Sequence, residues 1–213
     1  CIVAGGDGTI LPTARQICQY NIPILGINIG RLGFLAEFDY NKSVFKLLDK
    51  IITGTYSIQE RVMLDIKINN KNYIAINDCI LHSNQSTRTI HLTVKINNDT
   101  VTEYIADGII ISTPTGSTAY SLAANGPIVY PTLPVLLITP VCSHTLSQRP
   151  IIVTDSSIIT VEFSKHKPGQ KGVVSIDSQV LFPFKNNNKI VMTKSVHKFK
   201  LITHPDRNYY DIL

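Results

Sequence analysis

The sequence predicts an α/β unit over residues 1–56 followed by an all-β domain of two packed sheets over 57–201. Three observations carry that expectation. Residues 1–55 alternate apolar runs with helix-like periodicity, and the turns between them carry glycines. Beyond Tyr56, short alternating runs take over, punctuated by Asn-Asn, Asn-Asp and Pro-Gly turns. The stretch from Ala106 to Pro127 then joins a β-branched run, a turn of small hydroxyl residues and a short helix.

Taken in order, residues 2–4 end a strand and Gly5-Gly6-Asp7-Gly8-Thr9 follows at once, with a helix expected over 9–20. Glycines there let the backbone turn sharply and approach a ligand without Cβ clashes. The helix start behind them favours a phosphate. Asp7 suits either a helix N-cap or a ligand contact. A strand over 24–29 leads to a second glycine-bearing loop, Gly30-Arg31-Leu32-Gly33-Phe34-Leu35. Phe34 fits the core or the face of a base. Residues 41–52 form an amphipathic helix with Val44, Leu47, Leu48 and Ile51 on one side, stopped by Gly54.

Strand-like runs follow at 63–68, 73–80, 90–96, 101–104, 109–111, 158–163, 173–184, 190–193 and 199–203. Asn186-Asn187-Asn188 is a turn. The tail over 204–213 is polar and aromatic, and is expected to pack back on the first domain, with residue 202 onward belonging there. Asn77-Asp78 interrupts an apolar run, which is costly unless both side chains are paired. A carboxylate beside an amide suits ribose hydroxyls and a base edge; a solvent-facing bulge is the other reading. The turn Ser112–Thr118 leads into a helix expected over 119–124 and halted by Asn125-Gly126-Pro127, presenting N–H groups and hydroxyls suited to a nucleotide. Asp107-Gly108 opens that stretch, and His144 and Arg149 lie in a later loop.

The chain has 213 residues, 44% of them apolar and 16% charged, below the ~25% charged usual for soluble domains, so it is globular rather than disordered. The net charge of +5 suits a polyanionic ligand such as a nucleotide as well as it suits a solvated lysine surface. No pattern for nucleic-acid binding stands out. Cys1, Cys18, Cys79 and Cys142 form no C-x-x-C pair, which points to free thiols in a reducing cytoplasm. No apolar run approaches the ~20 residues that span a bilayer. The six histidines show no H-x-x-x-H spacing, so a protein-built metal site is not expected, and neither a G-x-S-x-G elbow nor a P-loop is present. The chain begins with Cys1 inside a strand, so the first strands of an incomplete N-terminal domain are expected to precede it.

Together these motifs resemble the bacterial NAD kinase family. Gly5-Gly6-Asp7-Gly8-Thr9 is similar to its G-G-D-G motif, Asn77-Asp78 to its N-E/D motif, and Thr113 to Pro127 to its T-P-T-G-S-T-A-Y-S-L-S-A-G-G-P signature. Segments around Thr139–Pro150 and Asp177-Ser178-Gln179 match further family segments. The resemblance implies a two-domain fold with a Rossmann-like first domain, and transfer of the terminal phosphate of ATP to the adenosine 2′-hydroxyl of NAD. It casts Asp7 as the base. Gly5, Gly6, Gly8 and Thr9 would bind phosphate, and Mg²⁺ would be held mainly by ATP oxygens. It places Asp7, Gly8, Phe34, Asn77, Asp78, Arg88, Asp107, Thr118, Ala119, Tyr120, Ser121, Leu122, Ala123 and Gln179 around NAD. Asp107 would reach a neighbouring subunit's ligand, implying a homo-oligomer, dimer or tetramer. Polyphosphate is the alternative donor. Ile105, Ala123, Asn125 and Ser143 depart from the family pattern, where Arg, Ser, Gly and Pro are usual. Two rival readings follow from the residues: a diacylglycerol-type lipid kinase, and an NAD(P)-binding module that has lost catalysis.

Overall fold

The computed structural model describes residues 1–30, 33–41, 43–84, 89–145, 147–165, 169–205 and 207–213. It divides into two compact units, Cys1–Arg61 with His197–Leu213, and Val62–Val196.

In the first unit, strands β1 (Ile2–Ala4), β2 (Leu25–Asn28) and β3 (Phe38–Asp39) form a parallel sheet in that order. Parallel neighbours need a crossover, and helix α1 (Asp7–Ile17) with a 3₁₀ turn at Cys18–Tyr20 supplies it between β1 and β2. The helix starts two residues earlier than the sequence suggests because Gly6, not Asp7, is the N-cap. Leu25, Ile27, Phe38 and Ile202 share a core with Val44 of helix α2 (Ser43–Ile52), and Leu47, Leu48 and Ile51 pack against it. The C-terminal segment is part of this unit. The Ile202 N–H donates to the Ile24 carbonyl at 2.8 Å, and Arg207 donates to the Glu37 carbonyl at 2.5 Å and pairs with Asp39.

The remaining strands are β4 (Ser57–Ile68), β5 (Lys71–Ala75), β6 (Asp78–Ser83), β7 (Ile90–Ile96), β8 (Asp99–Ala106), β9 (Gly108–Ser112), β10 (Val135–Val141), β11 (Ile151–Thr154), β12 (Ile159–Phe163), β13 (Lys171–Ile176), β14 (Val180–Lys185) and β15 (Lys189–Thr203). They form two six-stranded sheets, ordered β5-β4-β15-β12-β7-β8 and β11-β10-β9-β6-β13-β14. One cluster of buried side chains draws on both, among them Leu64, Tyr104, Ile109, Ile138, Val174 and Phe184. Alternation with period two sends such residues to the core face of each strand.

Three runs divide differently from their sequence pattern. Residues 73–80 split into β5 and β6, which belong to different sheets, with the crossing at Ile76-Asn77. Residues 173–184 fold into a hairpin whose loop is Asp177-Ser178-Gln179. Residues 190–203 lie within one long strand. β10 and β11 are not expected from the sequence: Pro134 and Pro140 bracket the apolar run of β10, where proline argues against a central strand, and β11 is a four-residue run after Pro150. The structure accommodates Pro140 beyond the last pairing with β11, at Ile138, where only β9 remains to be paired.

Candidate functional site

Each unit carries its own set of polar groups where strands end. In the first unit the chain leaves β1 through Gly5 and Gly6 and enters α1 at Asp7. The Asp7 carboxylate does not cap its own helix. It accepts the backbone N–H of Phe34 at 2.9 Å and of Leu35 at 3.0 Å, 27 and 28 residues away. This approach requires glycine at position 33, where a Cβ would stand 2.2 Å from Asp7 Oδ1. The carboxylate is half-buried with its orientation fixed, and each oxygen keeps a lone pair for a further donor. The Phe34 ring packs on Tyr209 with centroids 6.4 Å apart, so the aromatic tail supports the loop that holds Asp7.

Gly6 and Gly8 are different in kind. A Cβ added at either meets nothing within 4 Å, so no packing in the chain requires glycine there. The backbone N–H groups at the start of α1 border open space, which suits an anion. Gly8→Ala is expected to raise the thermal stability of the ligand-free protein, by up to ~1 kcal/mol from helix propensity. If the substrate seats an anion in that open space, the same variant is expected to lose at least tenfold in kcat/KM, because the added methyl group occupies it. Calorimetry beside steady-state kinetics checks both.

In the second unit Asn77 and Asp78 occupy the crossing between sheets, where ladder hydrogen bonds end. Its backbone groups are satisfied from outside. The Asp177 carboxylate accepts the N–H of Asn77 at 2.8 Å and those of Ile76 and Asp78 at 3.1 and 3.2 Å. Thr113 donates its hydroxyl to the Ile76 carbonyl at 2.6 Å and its N–H to the Asn77 carbonyl at 2.9 Å. Asp78 is 2% exposed, and its Oδ1 has no hydrogen-bond partner among the described residues. Burial first, and then the charge of Asp177, push its carboxyl up to about 7. A buried polar atom left unpaired calls for a ligand or a water.

The stretch after β9 folds as a 3₁₀ turn (Thr115–Thr118) and a short helix α3 (Tyr120–Ala123). Several of its hydroxyls bond within the chain rather than facing outward, whereas Thr115 Oγ1 is buried with no hydrogen-bond partner among the described residues. Ser117 is fully buried and donates to the Pro114 carbonyl at 2.7 Å, while Thr118 donates to the Thr115 carbonyl at 3.2 Å. Ser121 is also fully buried and shares a 2.9 Å hydrogen bond with Thr139, so its hydroxyl anchors α3 rather than offering itself outward. The turn instead presses on the crossing: a Cβ at Gly116 would stand 2.1 Å from the Asn77 carbonyl oxygen. Asn125, in place of the usual glycine, takes φ 61°, a left-handed conformation that Asn tolerates.

Of the other predicted residues, Asp107 lies between β8 and β9, at another crossing between sheets, and is exposed. With Tyr120 it lines a cleft of about 460 Å³, beside His82, Cys142, Ser178 and Leu181. Thr118 and Ala119 are half-buried, and Leu122 and Ala123 are exposed on α3. Gln179 is exposed in the β13–β14 hairpin. Arg88 lies outside the described residues. Among the described residues no group of three or more His, Cys, Asp and Glu could hold a metal ion, and no helix is long and apolar enough to cross a membrane. The structural roles of Thr113 and Asp177 escaped sequence reading, since both act on backbone groups distant in the chain.

The class of protein these features suit is an α/β plus β one whose first unit offers an anion a glycine turn at a helix start and whose second unit offers hydroxyl donors an unpaired carboxylate beside an amide. Comparison with known proteins names the family. Residues 1–56 match the ATP-NAD kinase N-terminal domain and residues 76–204 the ATP-NAD kinase C-terminal domain. The chain is 39% identical over 217 residues to the NAD kinase of Magnetococcus marinus, covering all of this chain and 71% of that protein. It is 42% identical to the NAD kinase of Thermoanaerobacter sp. strain X514, covering all of this chain and 76% of that one. Among solved structures, yeast NADH kinase complexed with NADH superposes with a TM-score of 0.88 at 30% identity, over 99% of this chain and 63% of that one. An NAD kinase from Archaeoglobus fulgidus in complex with ATP gives 0.80 at 23% identity over 96% of this chain and 77% of that one, a likeness of fold. The chain belongs to the NAD kinase family, and phosphorylation of NAD to NADP is its reaction.

Proposed function

We propose that the chain transfers the terminal phosphoryl group of ATP to the adenosine 2′-hydroxyl of NAD with Asp7 as the base. The observation that carries this is the Asp7 carboxylate, pinned by two backbone N–H groups yet left with acceptor capacity. Phosphoryl transfer with a loose transition state asks chiefly for positioning and charge neutralisation. Asp7 orients the hydroxyl and takes its proton as the bond to phosphorus forms. Gly6 and Gly8 receive phosphate oxygens at the start of α1, with Thr9 offering its hydroxyl, because the Gly5 and Thr9 N–H groups already donate to the Ile27 and Gly6 carbonyls at 2.9 Å. Mg²⁺ enters with ATP and is held mainly by its phosphates.

Asn77 and Asp78 take the ribose hydroxyls and base edge of NAD, which gives the unpaired Asp78 Oδ1 its donor. Phe34, Arg88, Thr118, Ala119, Tyr120, Leu122, Ala123 and Gln179 border the dinucleotide, Ser121 acting through its anchoring of α3. Exposed Asp107 reaches the ligand of a second copy, so the working form is a homo-oligomer in the cytoplasm. The test is a panel with full-length protein: NAD or diacylglycerol as acceptor, and Mg-ATP or polyphosphate as donor. The expected result is phosphorylation of NAD from Mg-ATP and none of the lipid. NAD binding without NADP under every donor would leave a binding module instead.

A further inference from the structure

The loop Asp177-Ser178-Gln179 joins β13 to β14, and Asp177 and Ser178 both take left-handed backbone conformations, φ 47° and 56°. That turn drives the Asp177 carboxylate under the crossing between β5 and β6. There it accepts three successive N–H groups, those of Ile76, Asn77 and Asp78, while its own N–H donates to the Asp78 carbonyl at 3.0 Å. The residue is 3% exposed. Three convergent N–H groups around one carboxylate form the kind of nest that holds an anion, here supplied by the protein itself. Asp78 opens the β6 ladder opposite Ser112, but the N–H groups of Ile76 and Asn77 lie outside it and are held by the Asp177 carboxylate, while Thr113 holds the carbonyls of the same two residues.

We propose that Asp177 is a positioning residue for dinucleotide recognition: its carboxylate fixes the Asn77-Asp78 segment in the conformation that meets the ribose. The proposal rests on the reading of Asn77 and Asp78 as NAD ligands. Among the described residues the charged group facing Asp78 is Asp177; Cys79 adjoins it in the chain, and β9 with the following turn brings the hydroxyls of Ser112, Thr113 and Thr115. The sign of the pH dependence follows. Ribose hydroxyls donate best to ionised Asp78, so its carboxyl titrates lower in the complex than in the free protein. NAD affinity is then full above pH 7 and falls as the pH drops through about 7, where free Asp78 takes up its proton.

Two variants of the full-length protein separate geometry from charge. Asp177→Glu keeps the charge but, one methylene longer, misplaces it against three N–H groups. KM for NAD is expected to rise at least tenfold, KM for ATP to stay within twofold, and the neutral break in NAD affinity to remain. Asp177→Asn keeps the size but loses the charge, and the break is expected to move to lower pH. In wild type, hydrogen exchange is expected to show protected amides at Ile76, Asn77 and Asp78 without ligand, a readout that needs no variant to fold. Unprotected amides, or an Asp177→Asn enzyme with wild-type KM and an unmoved break, overturn the proposal. Wild type that forms no NADP would instead overturn the reading on which it rests.

Discussion

Asp7→Asn is expected to lower kcat by 10²-fold or more, the scale of a positioned acid–base group, while KM for NAD changes by less than threefold. The variant keeps the volume of the side chain, so the open space beside Gly6 and Gly8 is undisturbed. It replaces one acceptor oxygen by an NH₂ group that faces the N–H of Phe34 or Leu35. That costs the loop a charge-assisted hydrogen bond, about 1.5–3 kcal/mol of local stability. Unchanged NAD binding by calorimetry separates lost chemistry from a displaced loop. A variant that turns over like wild type would remove Asp7 from the reaction.

The second large effect is expected from Gly116→Ala, a single methyl group in the turn after β9. Its Cβ would meet the Asn77 carbonyl oxygen at 2.1 Å, with the Asn77 carbonyl carbon and Cα at 2.5 and 2.8 Å. These are backbone atoms, so the clash cannot be relieved by a rotamer change. Either the turn or the crossing must move. Overpacking of this kind costs about 1–3 kcal/mol of stability. Because Asn77 and Asp78 sit on the displaced segment, KM for NAD is expected to rise at least tenfold while kcat at saturating NAD falls less. Denaturant melts together with NAD titrations check both halves. Wild-type stability and affinity would mean that the approach of Gly116 to Asn77 is not a structural constraint.

The parts of this architecture that rest on near neighbours in the chain were legible in the sequence. The turn from Gly5 to Thr9 announces itself by composition, and α2 by the spacing of Val44, Leu47, Leu48 and Ile51. The position of Asn77-Asp78 was legible as a polar interruption, but its meaning was not. Whether residues 73–80 form one strand or two depends on which sheet each half joins, and that is decided by partners far along the chain. Asp177 lies 101 residues from Ile76, whose N–H it accepts, and no local pattern ties them. The hydroxyls of Ser117 and Ser121 show the converse. Their composition suggests a polar surface, yet closure of the turn sends both inward, to Pro114 and Thr139. The same limit applies to Pro140, whose tolerance in β10 follows from how far β11 reaches.

The central claim is that this chain places a phosphate on one particular hydroxyl of a dinucleotide. Phosphorus NMR of the product from full-length protein, NAD and Mg-ATP tests it most directly. The predicted result is one new phosphomonoester on the adenosine 2′-oxygen, formed one for one with ADP. ADP accumulating without that signal, or a phosphate on any other position, would contradict the account.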